Sequence, residues 1–302
     1  MSIFSKIRNL VSEPPPDYVF ELSEAGIAWA RPADSALHFA PLEAGTLEVT
    51  PLADNIKEPG RLTSALRGIA TDASPARRKR AALLLPDYAA RVAVLDFDTF
   101  PSNPEEQKQL ARFRAKRAVP FDIDSAMVAC YAQPRHDGSK RVDVVVTVIN
   151  MEVAAHYEAP FRAAGLHCGV ITVSALAALA LAPASEPLEA SPSIVAKFSG
   201  RVLALSLLDG VTLRMFRCLE LSGDTLEEAA DVMATTFAYA EDELGARPRV
   251  VRVCGLERTA GELRERWADE LGVPVTGLTS RFGTPAARDA GLAGYLETWG
   301  GR

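Results

Sequence analysis

Residues 92–149 read VAVLDFDTFPSNPEEQKQLARFRAKRAVPFDIDSAMVACYAQPRHDGSKRVDVVVTVI, and the order of elements written there decides the fold. Val92 to Phe97 has the apolar, β-branched character of a strand. Ser102-Asn103-Pro104-Glu105 supplies a helix start, with capping side chains and a proline tolerated in the first turn. The helix it opens is expected to run to about Ala118. Glu105 and Glu106 come first and the cations from Lys108 to Arg117 come later, the order a helix dipole favours, so a structural role suffices and nucleic acid is the weaker reading. Val119-Pro120 ends it. Two strands follow, Ala126 to Tyr131 and Val142 to Ile149, across the polar turn His136-Asp137-Gly138-Ser139. The block is strand, helix, strand, strand.

Upstream, Tyr18 to Leu22 reads as a strand, Ser23-Glu24-Ala25-Gly26 as a turn and Ile27 to Ala30 as the return strand. Short strands are expected through His38-Phe39 and Leu47 to Val49, and a helix from Arg61 to about Ile69. The basic cluster Arg77-Arg78-Lys79-Arg80 reads as a solvated loop before the apolar strand Ala81 to Leu85. Downstream, Met151 to Ala164 is helical and stops at Gly165. The uncharged run Cys168 to Ser185 is short for a membrane span of about 20 apolar residues and is broken by Gly169, Thr172, Ser174 and Pro183. It reads instead as a buried strand and a helix capped by Ser174.

The second half starts again with hairpins: Ile194 to Phe198, a turn at Ser199-Gly200, Val202 to Leu208, then Asp209-Gly210 and a return through Val211 to Cys218. A long helix from Thr225 to Leu244, a strand from Val250 to Val253, a helix from Gly261 to Leu271, a short strand from Val273 to Val275 and a closing helix from Thr284 to Leu296 complete it. The implied organisation has an N-terminal amphipathic segment and proline-rich linker (1–16), and a first lobe (17–182) carrying an inserted subdomain (87–150). A linker (183–192) leads to a second lobe (193–302). The halves echo each other in structure without a clear sequence repeat.

A net charge of −6 gives no electrostatic reason to expect nucleic acid, and 48% hydrophobic with 24% charged residues is ordinary globular composition. The four cysteines have neither metal-ligand nor redox spacing and read as buried reduced thiols, which suits a reducing compartment. The four histidines lack zinc spacing. Met1 to Val11 has no continuous apolar core, so no secretory leader is expected. The sequence has no P-loop and no nucleophile elbow.

With these elements in place, the chain resembles the type IV pilus assembly protein PilM family, within the actin-like proteins that carry an inserted small subdomain, such as FtsA. The local matches are Leu84-Leu85-Pro86-Asp87, the helix end Arg117-Ala118-Val119-Pro120-Phe121-Asp122, Val142 to Ile149, the helix from near Glu152, and Ala164-Gly165-Leu166 leading to Val173-Ser174-Ala175-Leu176. In the second lobe they are Leu221 to Glu228, and Cys254-Gly255-Leu256 followed by Leu263 and Gly272 to Val275. The resemblance implies an α/β, actin-like (ribonuclease H-like) two-lobed fold with an inserted strand-helix-strand-strand subdomain.

It also implies an interlobe site where two hairpin turns face the phosphates of ATP and acidic residues organise Mg²⁺. Here those turns read Glu21-Leu22-Ser23-Glu24-Ala25-Gly26 and Val195-Ala196-Lys197-Phe198-Ser199-Gly200, without the usual Asp-x-Gly. Phe198 is expected to block phosphate approach, and Lys197 or Arg201 to meet phosphate charge directly if ATP binds. The candidates for retained nucleotide binding are Glu21, Ser23, Lys197, Ser199, Gly200, Gly223, Asp224 and Gly255; no catalytic or metal residue is assigned. The expected function is a cytoplasmic scaffold at the inner face of the bacterial inner membrane. It would bind the cytoplasmic tail of a PilN-like membrane protein between the insertion and the first lobe, with hydrolysis lost and no nucleic-acid partner. Residues 1–11 are a further candidate for membrane contact. The alternatives are an active actin-like ATPase and a type II secretion scaffold resembling GspL.

Overall fold

Residues Tyr18 to Leu22 are all buried, as a central strand covered on both faces must be. In the computed structural model, which describes residues 15–51, 55–134, 141–187, 190–222, 225–256 and 260–298, this strand, β1 (Tyr18–Ser23), pairs antiparallel with β2 (Gly26–Ala30), and β2 with β3 (His38–Pro41). Leu47 forms only an isolated bridge to Ile56, not the strand expected there. After α1 (Pro59–Ile69), β4 (Lys79–Leu85) returns parallel to β1.

The chain then leaves the sheet for the insertion: β5 (Arg91–Phe97), α2 (Pro104–Ala115), β6 (Ala126–Pro134) and β7 (Val142–Asn150). These strands form an antiparallel sheet of order β5-β7-β6, with Phe97, Val128, Val144, Val146 and Val148 packed against Ala111 and Ala115 of α2. The Asn103 side chain caps α2 by accepting from the Glu105 N–H at 2.9 Å. The chain returns through α3 (Met151–Ala163) to β8 (Leu166–Val173), which adds parallel to β4 and completes a sheet of order β3-β2-β1-β4-β8.

After α4 (Ser174–Ala178) and a 3₁₀ turn (Leu179–Ala184) the pattern repeats. β9 (Ser193–Ser199), β10 (Val202–Asp209) and β11 (Thr212–Glu220) form an antiparallel meander, followed by α5 (Thr225–Leu244), β12 (Val250–Cys254), α6 (Ala260–Leu271), β13 (Val275–Gly277) and α7 (Ala290–Glu297). The sheet order β11-β10-β9-β12-β13, with β12 parallel to β9 and to β13, matches the first lobe strand for strand. The closing helix starts six residues later than the sequence suggests. Pro285 disfavours helix at the residue before it, and the Ala286 N–H is taken by Asp289 Oδ1 at 2.7 Å.

Two features fix the lobes to each other. Apolar residues of α4, the 3₁₀ turn, β9, β10, β11 and α7 share one core with Val145 of the insertion. The insertion is also latched to the second lobe. The Gln133 amide brackets Leu213, its Nε2 donating to the carbonyl and its Oε1 accepting from the N–H, both at 3.0 Å. Beside it, buried Asp143 pairs with Arg214. The expected linker is held as well, since buried Arg252 donates to the carbonyls of Ser185 and Pro187. The expected amphipathic segment within residues 1–11 and the turn at 136–139 lie outside the described residues. Among the described residues, no helix is long and apolar enough to cross a membrane.

Candidate functional site

Strand alternation decides which side chains meet between the lobes. In β1, Tyr18, Phe20 and Leu22 enter the core with Leu62, Leu66, Tyr157 and Phe161. Glu21 therefore points the other way, toward α4 and α7. In β9, Ile194, Ala196 and Phe198 enter the core of the second lobe, so Lys197 and Ser199 face the same interlobe space. Asp87 reaches it from the end of β4, past Pro86.

These groups form one buried network. Lys197 Nζ donates to Asp87 Oδ2 at 2.7 Å and to Ser199 Oγ at 2.8 Å, and lies 4.0 Å from Glu21 Oε1. Asp87 Oδ1 accepts from the Ala175 N–H at 2.6 Å, in the first turn of α4, where a carboxylate is favoured. Glu21 Oε1 accepts from Ser174 Oγ, and Oε2 from the Leu292 N–H of α7 at 2.7 Å. Glu21, Asp87 and Lys197 are at most 2% exposed. Five segments from both lobes thus converge on one ammonium and two carboxyl groups.

The electrostatics follow from that count. Burial pushes the Glu21 carboxyl up to about 7, against the pull of the Lys197 ammonium, the Ser174 hydroxyl and the Leu292 N–H. Burial alone would lower Lys197, but Asp87 and then Glu21 more than offset it and hold the ammonium above the usual lysine range. Chemically the cluster is a satisfied internal ion pair with a second carboxyl beside it; a cation already sits among its oxygen ligands.

No family model matches this sequence, and no curated protein matches it. Solved structures do. A chain of a PilM–PilN type IV pilus biogenesis complex superposes with a TM-score of 0.73 at 18% identity, covering 94% of this chain and 98% of that one. A protein of Bacteroides thetaiotaomicron described as having an actin-like ATPase fold and unknown function gives 0.56 at 10% identity, covering 96% and 98%. The fold is actin-like. The cytoplasmic domain of EpsL, an inner-membrane component of the type II secretion system of Vibrio cholerae, gives 0.52 at 12% identity over 93% of this chain and 94% of that one.

In this actin-like frame the candidates from the sequence separate. Glu21, Lys197 and Ser199 are brought together. Ser23 ends β1, just before the turn, and donates to the Gly26 carbonyl at 3.2 Å. Gly200 makes the β9–β10 turn at φ +62°. Gly255 follows β12 at φ +90°, where a Cβ would lie 2.1 Å from the Phe198 carbonyl oxygen, so close packing of β12 on β9 already requires glycine. Gly223 and Asp224 lie outside the described residues.

One expectation is corrected. Phe198 does not face the interlobe space: it is buried, 6.0 Å from the Trp267 ring, because alternation turns Lys197 outward in its place. Of the two cations expected to meet phosphate if ATP binds, Lys197 donates to Asp87 and the Arg201 guanidinium to the carbonyls of Leu221 and Ser222. Sequence reading missed Asp87 and Ser174 as site residues. The available signal was an acid set by proline at the end of the wholly apolar strand Ala81 to Leu85.

The raised Glu21 value has a testable consequence. Its folded pKa, about 7, lies above its ordinary 4.5. Its contribution to stability is therefore full below about 4.5, falls as pH rises toward about 7, and is flat beyond. Glu21→Gln keeps both hydrogen-bond partners, its carbonyl toward Leu292 and its amide toward Ser174. The stability difference between wild type and this variant is expected to shift toward the variant by at most about 1.4 kcal/mol per pH unit across that window. Urea unfolding at pH 5, 6, 7 and 8 measures it; a pH-independent difference would rule out protonation at Glu21.

Proposed function

We propose that this protein is a nucleotide-independent scaffold at the inner face of a bacterial inner membrane, binding the short cytoplasmic tail of a membrane-anchored pilus protein comparable to PilN. The observation that carries this reading is the likeness, over nearly the whole chain, to a chain of a PilM–PilN complex. The insertion offers a docking element. Its strand β6 is an edge of the insertion sheet, with no further strand paired to it among the described residues, and Met127 on it, opposite Ile149, is 49% exposed, as is Met151 at the start of α3. An extended tail can use the backbone of such an edge for affinity and apolar side chains for specificity.

The loss of hydrolysis rests on the buried cluster. Mg²⁺ would require Glu21 and Asp87 as oxygen ligands, and the Lys197 ammonium already stands between them, 2.7 Å from Asp87 and 4.0 Å from Glu21, with all three side chains buried. The residues present do not fit a Mg-ATP site, and no catalytic step is assigned. The enzyme alternative predicts Mg-ATP turnover that falls in Glu21→Ala; its absence at millimolar nucleotide removes that alternative. A type II secretion role is the second reading, favoured by the likeness to the EpsL cytoplasmic domain.

The test is a pull-down from solubilised membranes of the source organism, with and without Mg-ATP, read by mass spectrometry. Recovery of pilus inner-membrane proteins under both conditions is expected. Recovery of secretion components instead would select the second reading, and recovery of neither would end both. For the tail of the recovered protein, Met127→Asp with Met151→Asp is expected to weaken binding at least about tenfold, from the loss of two half-buried apolar contacts. Unchanged affinity by calorimetry would move the docking site elsewhere.

A further inference from the structure

The most exposed large apolar side chain among the described residues is Phe113, at 73%, on the outer side of α2. It stands in a run of sequence whose charge is opposite to that of the whole chain. Residues 108–117 contain Lys108, Arg112, Arg114, Lys116 and Arg117 and no acid, in a protein of net charge −6. The acids of α2, Glu105 and Glu106, are confined to its first turn, about 10 Å along the axis from Phe113.

The four cations from Arg112 to Arg117 divide into two groups. Arg112 donates to the Ala126 carbonyl at 3.0 Å and lies 4.0 Å from Asp124. The Arg114 guanidinium lies 4.9 Å from the centre of the Phe97 ring and donates to the Asp96 carbonyl at 3.4 Å. These two fasten α2 to its own sheet. Lys116 and Arg117 are exposed, and among the described residues neither forms an ion pair. Lys116 keeps right-handed helical backbone at φ −51°, ψ −33°, so it follows Phe113 one turn later on the same face, while Leu110, one turn before, is partly buried against the core of the insertion.

We infer that this end of α2 is a contact surface for an anionic lipid bilayer, with Phe113 entering the interface and Lys116 and Arg117 meeting lipid phosphates. Charge complementarity selects that occupant, because cations cluster here against the sign of the whole molecule. Exposure selects it too. Phe113 is a single aromatic side chain, 73% exposed, standing out from its helix. A protein partner would need a matching pocket to desolvate it, whereas an interface of lipid headgroups and acyl chains accepts such a side chain without preformed complementarity. With so few contacts the attachment is weak and reversible.

The experiment uses the full chain and no pilus protein, so its result is independent of the scaffold reading. Co-sedimentation is measured with phosphatidylcholine vesicles with and without phosphatidylglycerol, for wild type, Phe113→Ser and the Lys116→Glu/Arg117→Glu pair. Circular dichroism verifies folding, which substitutions at exposed positions leave intact. Binding is expected only with the anionic vesicles and is lost when salt is raised from about 50 to about 500 mM. Phe113→Ser lowers the partition coefficient about tenfold, and the double reversal lowers it by more than about twentyfold, each charge contributing roughly fivefold. Absence of binding to anionic vesicles, or equal binding by neutral ones, overturns the inference. So does wild-type binding by both variants, which would assign attachment to another segment such as residues 1–11.

Discussion

Lys197→Ala is expected to lower the unfolding free energy by about 3–5 kcal/mol, because it leaves Asp87 and Glu21 buried beside each other without their cation. In a chain of this size that corresponds to roughly 5–8 °C in melting temperature. The loss comes from the carboxyl groups left behind, more than from any large net gain made by the pair itself. Buried ion pairs often contribute little compared with well-packed apolar residues of similar volume. The triple variant Glu21→Gln, Asp87→Asn, Lys197→Met is therefore expected to recover most of the loss, since no charge remains and the amides can still accept from Leu292 and Ala175. Urea titrations of the single and triple variants decide the matter. A single variant within about 1 kcal/mol of wild type would mean that water or a counterion enters the cluster and that Lys197 does not hold it together.

Gly294→Val is expected to destabilise by about 3 kcal/mol or more. A Cβ at Gly294 would lie 2.2 Å from the Ala177 carbonyl oxygen, and one at Gly291 would lie 2.8 Å from the Ser174 backbone. Those obstacles are backbone atoms of α4, which cannot rotate aside, so α7 would have to move bodily. Glycine inside a helix costs about 1 kcal/mol relative to alanine, and two of them on one face of α7 make sense only as the condition for this approach. The same contact sets the Leu292 N–H against Glu21, so displacement of α7 would also open the interlobe network. A thermal melt within about 2 °C of wild type would show that α7 can shift at little cost.

The insertion was legible in the sequence because its signals are local. A capping residue before α2, acids ahead of bases along it, and β-branched runs on either side are written within one stretch of chain. The two hairpin-led lobes were legible for the same reason, through Ser199-Gly200, Asp209-Gly210 and the apolar runs around them. Boundaries were less secure where several weak signals compete, as at Thr284 to Asp289, where a proline and an aspartate turn delay the final helix.

The site was half legible. Glu21 and Lys197 stood out because each departs from the residue its turn would carry in a nucleotide-binding relative. Phe198 was assigned the wrong face, since a shift of one residue along a strand exchanges its two sides and nothing local fixes which side is which. Asp87 follows a proline at a strand end, a local pattern that carries no sign of the lysine it meets 110 residues later.

By itself the sequence determined element type, order and the doubled layout of this protein, all of which follow from the period of the apolar residues and from turn and cap chemistry within a few positions. Only the tertiary structure decided that Lys197 meets Asp87 across 110 residues of chain, that Leu292 donates to Glu21 across 271, and that Gln133 clasps Leu213 across 80. Such pairings depend on how two sheets and a crossing helix are set against one another. Buried polar groups must find partners wherever packing puts them, and packing is a property of the whole chain.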